Sequence, residues 1–224
     1  TSLSLSEDTG QITLDLSTLG SDPDAGEDGS TLNYTITGAP AAGSASINGT
    51  TLSFGTDGAF DTLGQGETRT VAITVTAADA AGETATATVE VTVTGTNDAP
   101  QITQTSAVTT GAVREAGTIS GTATATGQLA YTDADEAAPG DAIWAISPQN
   151  SPFGAISIGS ESGDWLYTLD NPAADSLNAG ETRTETFTAT VTDAAGATDS
   201  QIITITITGT NDAPLLNSTS ENID

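Results

Sequence analysis

Residues 66–100 read GETRTVAITVTAADAAGETATATVEVTVTGTNDAP. In this stretch Val71, Ile73 and Val75 alternate with Ala72, Thr74 and Thr76, and Val89, Val91 and Val93 alternate with Thr88, Glu90 and Thr92. A period of two puts one set of side chains on a buried face and the other in water. Between the two runs stands Asp79-Ala80-Ala81-Gly82, a turn signal. The stretch therefore predicts a long β-hairpin, one strand over about 69–77 and its partner returning to Thr94. The same pattern recurs elsewhere: Ile12, Leu14 and Leu16 alternate with Thr13 and Asp15, and Ile203, Ile205 and Ile207 with Thr204, Thr206 and Thr208. Asn48-Gly49 between two short apolar runs marks a two-residue hairpin, because both turn positions favour positive φ. No stretch carries a sustained helical period.

Much of this stretch is repeated. GTNDAP occurs at 95–100 and 209–214, GETRT at 66–70 and 180–184, and DAAG at 79–82 and 193–196. All three pairs are 114 residues apart (209 − 95, 180 − 66, 193 − 79). One constant offset means two copies of one domain. Upstream the offset slips to 111, where Asp22 and Asp24 pair with Asp133 and Asp135, so the front halves differ by insertions. Each copy offers about seven short strands over about 100 residues, which predicts an all-β chain of two tandem immunoglobulin-like β-sandwich domains. Their expected extents are 1–98 and 99–214. Ser220-Glu221-Asn222 echoes Ser6-Glu7-Asp8, so 215–224 is expected to be a linker and the start of a following repeat. The chain reads as a piece of a longer protein.

Composition narrows the chemistry. The 224 residues include 30 Asp plus Glu against 3 arginines and no lysine, a formal charge of −27. There is no His and no Cys. Disulfides, thiolate or imidazole catalysis, Schiff-base lysines and Cys/His zinc sites are thereby excluded. Three scattered arginines cannot displace counterions from nucleic acid or hold an anionic membrane. No apolar run is long enough to span a bilayer. Asn33-Tyr34-Thr35 and similar triplets match glycosylation acceptors, as chance allows in so Thr-rich a chain.

Strand polarity maps the acids. A nine-residue strand spans about 30 Å, so Glu67 and Asp79 fall at opposite ends of the first domain, with Glu67 at the exit beside Asn97 and Asp98. Asp193, at the matching turn of the second domain, falls at the end facing the first. Glu67, Asn97, Asp98 and Asp193 are expected to converge on the junction. Gathered carboxylates repel unless a cation joins them. An oxygen-only donor set from several loops suits calcium, which accepts six to eight oxygens in flexible geometry.

These residues carry a resemblance. GTNDAP at a domain exit resembles the linker of bacterial VCBS repeats and related cadherin-like domains. Tyr131-Thr132-Asp133-Ala134-Asp135 resembles the DxD loop of that family, and residues 163–171, GDWLYTLDN, its aromatic strand. Residues 177–183, followed by Val191-Thr192-Asp193, resemble its last hairpin. The likeness covers most of 101–214. The first domain shares the hairpin and linker but lacks the aromatic strand, and so resembles a more general cadherin-like repeat. Such repeats occur in long arrays of secreted Gram-negative adhesins of the RTX type. The resemblance implies a calcium set at the junction: Glu7 and Glu67 from the upper domain, Asn97 and Asp98 from the linker, and Asp133, Asp135 and Asp193 from the lower domain. Where the cadherin linker has a further Asp, this chain has Thr94-Gly95-Thr96, which favours one or two ions over three. Outer half-sites follow by repetition. Asp22, Asp24 and Asp79 would face a preceding repeat, and Glu181, Asn211, Asp212, Glu221 and Glu115 a following one.

The expected function is a calcium-rigidified extender of a large adhesin at the bacterial surface. It would be a monomeric fragment whose partners are neighbouring repeats of the same polypeptide, with no nucleic acid or direct membrane contact. An alternative makes the second domain a glycan- or protein-binding module. That reading requires exposed aromatics among Trp144, Phe153 and Trp165, whereas the core reading buries them. An enzyme is not expected, because the acids map to poles and not to a cleft.

Overall fold

In the computed structural model the described residues are 1–24, 26, 28–104, 108–135 and 141–214. The chain divides into two compact units, 1–98 with 134–137, and 99–133 with 138–224. The expected start of a following repeat at 215–224 lies outside the described residues.

The first unit is a sandwich of two sheets. One contains β1 (Ser2–Ser6), β7 (Thr84–Thr94), β6 (Thr68–Ala78) and β3 (Asn33–Gly38), in the order β1-β7-β6-β3. The other contains β2 (Gln11–Asp15), β5 (Thr51–Gly55) and β4 (Ser44–Asn48), in the order β2-β5-β4. The β6–β7 hairpin pairs Thr68 with Thr94 and Ala78 with Thr84, so its apolar residues share one face along eleven residues. That face buries Val71, Ile73, Val75, Val89, Val91 and Val93 against Leu52, Phe54 and Phe60. Asn48-Gly49 makes the turn between β4 and β5, with Gly49 at φ +60°, a value an L side chain adopts only at a cost.

In the second unit β9 (Thr110–Arg114), β17 (Thr198–Thr208), β16 (Thr182–Thr192) and β12 (Ile143–Ser147) form one sheet. β10 (Thr124–Gln128), β15 (Asp164–Leu169), β14 (Gly154–Ile158) and β13 (Asn150–Ser151) form the other. The short strands β8 (Gln101–Ile102) and β11 (Tyr131–Thr132) pair separately. One helical turn, α1 (Asn171–Ala174), carries Pro172 in its first turn, where a missing N–H costs nothing. Ile203, Ile205 and Ile207 are fully buried, while Ile202 just before them is 56% exposed.

Trp165 and Trp144 are core residues, at 1% and 3% exposure. The Trp165 indole N–H donates to the Val108 carbonyl at 3.1 Å. Gly127 faces that ring across β10 and β15, and a Cβ there would stand 2.7 Å from the indole. Trp144 meets Tyr131 edge-on at 6.0 Å between centroids. Phe153 is half-buried beside the same core.

β1 runs parallel to β7, with Ser6 opposite Thr94, and β9 runs parallel to β17, with Arg114 opposite Thr208. These pairings fix where the next residue of each strand, Glu7 or Glu115, lands.

Candidate metal centres at the domain poles

Glu7 opens a single 3-10 turn (Glu7–Thr9) directly after β1. Parallel pairing with β7 sets it beside the segment that leaves the domain. The Thr56 hydroxyl donates to the Glu7 carbonyl at 2.9 Å. The Thr96 N–H donates to Glu7 Oε1 at 2.7 Å, and the Thr96 hydroxyl lies 2.7 Å from Asp8 Oδ2 as its donor. The other Glu7 oxygen, Oε2, is buried without a hydrogen bond. Burial pushes the Glu7 carboxyl up, the Thr96 donors oppose this, and the charges of Asp98 and Asp8 add to it. Asp98 is likewise pushed up, first by burial and then by Asp135, Asp61 and Asp8. Its own N–H lies 3.4 Å from Asp135 Oδ2. Glu7, Asp8, Asp61, Asp98 and Asp135 thus share one electrostatic field. Among the described residues the only ion pair is elsewhere, Arg183 to Glu181 at 2.6 Å.

The second unit repeats this arrangement. Glu115 follows β9, and its N–H donates to the Thr208 carbonyl at 3.0 Å. The Thr210 N–H donates to Glu115 Oε2 at 2.8 Å. Glu115 is fully buried, and its Oε1 has no hydrogen bond. Carboxylate oxygens of Glu115, Asp175 and Asp212 lie within 4.8 Å of one another. Asp175 is placed by α1. Asn171 Oδ1 accepts from the Ala116 N–H at 2.6 Å, and its Nδ2 donates to the Ala116 carbonyl at 3.1 Å and to Asp175 Oδ1 at 3.3 Å. Burial raises the Glu115 carboxyl, opposed by the Thr210 N–H and reinforced by Asp212 and Asp175.

The two poles correspond. Thr96, Asp61 and Asp98 become Thr210, Asp175 and Asp212 at the offset of 114. Glu7 corresponds to Glu115 through the parallel registers, since Ser6 sits opposite Thr94 and Arg114 opposite Thr208 (94 + 114 = 208). Each pole thus holds a buried, unbonded carboxylate oxygen; among the described residues three carboxylates gather within 4.8 Å at Glu115 only, while at Glu7 the acids are linked through their charges. Such an oxygen costs about 1–3 kcal/mol unless something compensates it. A hard divalent cation would do so, and carboxylates from three separate segments suit calcium.

The remaining sequence-derived residues divide by role. Glu67 lies at the linker end, where its backbone pairs with Gly95, but its Oε2 accepts from the Gly64 N–H at 3.3 Å within its own loop. Glu181 does the same with Asn178 and also holds Arg183. It is not among the three acids gathered at Glu115. Asn97 and Asn211 donate from Nδ2 to the carbonyls of Asp98 and Asp212. Asp79 Oδ1 accepts from the Gly82 and Glu83 N–H groups at 2.6 and 2.8 Å, closing the β6–β7 turn. Asp193 accepts from the Ala197 N–H at 2.7 Å in the matching turn of the second unit and is buried. Asp22 Oδ1 accepts from the Asp24 N–H at 2.9 Å, and Asp24 is exposed. Asp133 follows β11 with its carboxylate shielded from solvent. Glu221 lies outside the described residues. Asp61, Asp175 and Asp8 belong to the clusters and were not anticipated. The first two carry a usable signal, being 114 residues apart like the linkers.

Residues 97–209 match the bacterial cadherin-like domain, half of the chain. The chain belongs to the bacterial cadherin-like domain family. Residues 1–92 match the bacterial Ig domain. Cadherin-like domains are extracellular, generally bind calcium, and serve as structural or adhesion modules and not typically as enzymes. No curated protein matches the sequence significantly. Among solved structures, human CDH23 EC21-23 is similar at 15% identity and a TM-score of 0.49, over 93% of this cadherin-like chain and 72% of that one. The protocadherin gammaB7 EC3-6 cis-dimer structure is similar at 21% identity and 0.48, over 92% and 45%. Drosophila N-cadherin EC1-4 is similar at 14% and 0.46, over 95% and 49%. No helix among the described residues is long and apolar enough to cross a membrane.

Proposed function

We propose that this chain is a pair of extender repeats from a large secreted bacterial adhesin, of the VCBS and RTX kind, in which calcium stiffens successive domain junctions. One observation carries the reading: Glu7 and Glu115 each keep a buried carboxylate oxygen without a hydrogen bond, at corresponding positions and beside other acids. An ordinary solvated acid would turn toward water. Calcium would join Glu7, Asp98 and the acids around them at one junction, with Glu67, Asn97, Asp133, Asp135 and Asp193 as further donors. It would join Glu115, Asp175 and Asp212 at the next. Its double charge would relieve acid–acid repulsion that no basic residue of the clusters offsets. The partners are then neighbouring repeats of the same polypeptide, and the setting is the bacterial cell surface. Burial of both tryptophans weighs against an aromatic binding platform on the second domain.

The test is small-angle scattering and thermal melting with calcium and with a chelator. Calcium should lengthen or hold the maximum dimension and raise the melting temperature. Asp98→Ala with Asp193→Ala should remove that response. Unchanged dimension and unchanged melting on chelation would overturn the reading.

A further inference from the structure

The Glu115 pole holds a second buried oxygen without a hydrogen bond. Thr210 is 5% exposed, and its hydroxyl oxygen Oγ1 has no partner among the described residues. A hydroxyl can donate once and accept twice, so burying one unused costs the folded state free energy. The other unbonded oxygen at this pole is Glu115 Oε1, and the Thr210 N–H already holds Glu115 Oε2 at 2.8 Å. The two unused oxygens thus sit on residues that are hydrogen-bonded to each other.

The corresponding threonine of the first unit is not left this way. The Thr96 hydroxyl lies 2.7 Å from Asp8 Oδ2 and 3.2 Å from Glu7 Oε1. In the strand register that equates Glu7 with Glu115, Asp8 corresponds to Ala116 and Thr9 to Gly117. The Ala116 side chain offers the hydroxyl no acceptor, and its backbone is tied to Asn171 at 2.6 and 3.1 Å. Both Thr96 partners belong to the first unit itself, so the difference arises inside the repeat, from Asp8 against Ala116. Gly117 shows what faces Thr210. A Cβ added there would collide with Thr210 Oγ1 and stand 2.6 Å from the Asn211 carbonyl oxygen and 2.7 Å from Asp212 Oδ1. Three oxygens therefore flank one point that a side chain would fill and that glycine leaves free. The Asn211 carbonyl also accepts from the Thr118 N–H at 2.8 Å. Asp212 is in turn one of the three carboxylates gathered with Glu115 and Asp175, and all of these residues belong to the second unit.

We propose that the Thr210 hydroxyl is a direct, neutral ligand of the divalent cation held by Glu115, Asp175 and Asp212, and that Asp8 takes this role away from Thr96 at the Glu7 pole. The proposal rests on the calcium reading above and assigns a residue to it. Neutral oxygens ligate a hard cation alongside carboxylates, and a hydroxyl that gives a lone pair to the cation keeps its proton to donate. The unused Thr210 oxygen and the unused Glu115 oxygen are then satisfied by the same ion. The two poles are not equivalent. At the Glu7 pole the threonine hydroxyl is spent on a carboxylate, which itself faces Glu7 and Asp98 with its charge. At the Glu115 pole alanine takes the place of that carboxylate, and the hydroxyl stands in for it without adding charge.

The test uses the full chain, isotope-labelled, titrated with calcium chloride from a metal-free start. Amide signals of Glu115, Ala116 and Thr210 report one pole, and those of Glu7, Asp8 and Thr96 the other. Thr210→Val keeps the shape and removes the hydroxyl. It should raise the calcium midpoint at the Glu115 pole by roughly tenfold and leave the midpoint at the Glu7 pole unchanged. Thr210→Ser keeps the hydroxyl and should titrate like wild type. In chelator Thr210→Val should melt at or above wild type, because it deletes an unsatisfied buried atom. A hydroxyl that served the fold alone would make the variant melt lower. An unchanged midpoint in Thr210→Val, a Thr210→Ser variant as weak as Thr210→Val, or lower melting of Thr210→Val in chelator overturns the proposal. If no amide at either pole responds to calcium, the extender reading falls and the ligand assignment with it. If both poles respond and Thr210→Val matches wild type, the ligand assignment alone falls.

Discussion

Replacing Glu115 by Gln tests whether its buried carboxylate is a defect that only a cation repairs. Glu115 is fully buried, Oε2 accepts from the Thr210 N–H at 2.8 Å, and Oε1 has no hydrogen bond. Glutamine has the same shape. Its carbonyl oxygen keeps the Thr210 bond, and its amide can donate to Asp175 or Asp212, whose oxygens lie within 4.8 Å. The substitution removes a buried charge and turns an unsatisfied acceptor into a satisfied donor. The unsatisfied group costs about 1–3 kcal/mol, so a metal-free gain of about 1–2 kcal/mol is expected. For a domain of this size each kcal/mol moves the melting temperature by about 4 °C, which makes the expected rise about 4–8 °C in chelator. In calcium the gap should narrow or reverse, since the wild-type carboxylate gains a counter-charge that the variant cannot use. Calorimetry of both proteins in chelator and in calcium reads this directly. A variant that melts at or below wild type in chelator would refute the reasoning, because the carboxylate would then be satisfied as it stands.

Two further outcomes are expected. The folded-state carboxyls of Glu7, Asp98 and Glu115 are raised, so the metal-free native state holds their protons more tightly than the unfolded chain. Stability from them is present below the ordinary carboxylate values of about 4 and falls as pH rises through the raised values. Asp15, Asp28 and Glu181 are lowered by hydrogen bonds and act oppositely, losing their contribution as pH falls below the ordinary values. In chelator the melting temperature should therefore peak at mildly acidic pH and decline toward neutrality, and a steady rise from pH 5 to 7 would contradict this. In the second unit's core, Glu185 accepts from the Ser151 hydroxyl, the Tyr167 hydroxyl and the Phe153 N–H at 2.6, 2.7 and 2.9 Å. Tyr167→Phe should cost about 1.5–3 kcal/mol, as for hydrogen bonds to charged groups. Combining it with Glu185→Val, the residue at the matching position 71, should cost less than the two single changes summed, as a denaturant double-mutant cycle would show.

The strands were legible because a sandwich repeats its physics locally. Alternation along 71–76, 89–93 and 203–207 needs no knowledge of partners, and the Asn48-Gly49 turn is set by its own backbone preference. The acid clusters depend instead on pairings that leave no local trace. Asp61 and Asp175 share the offset of the linkers, but Glu7 and Glu115 are 108 residues apart, and Asp22 and Asp133 are 111 apart. A comparison at any single offset therefore assembles only part of a cluster. What restores the whole is the parallel register of β1 on β7 and of β9 on β17, which sets Glu7 beside Thr96 and Glu115 beside Thr210. Asp175 follows a four-residue helix too short to show a period, so its only trace in the sequence is the offset from Asp61. Glu181 shows the opposite case. It matches Glu67 in the repeat, yet Arg183 two residues on is close enough to compensate it. Arg69 stands at the equivalent place beside Glu67, but lies over the Phe60 ring at 5.7 Å. The same GETRT sequence thus gives its acid a partner in one unit, while the other unit turns its arginine to an aromatic face. Repeat identity fixes which residues reach a pole. Which of them are left without a counter-charge is decided by the side chains that surround them there.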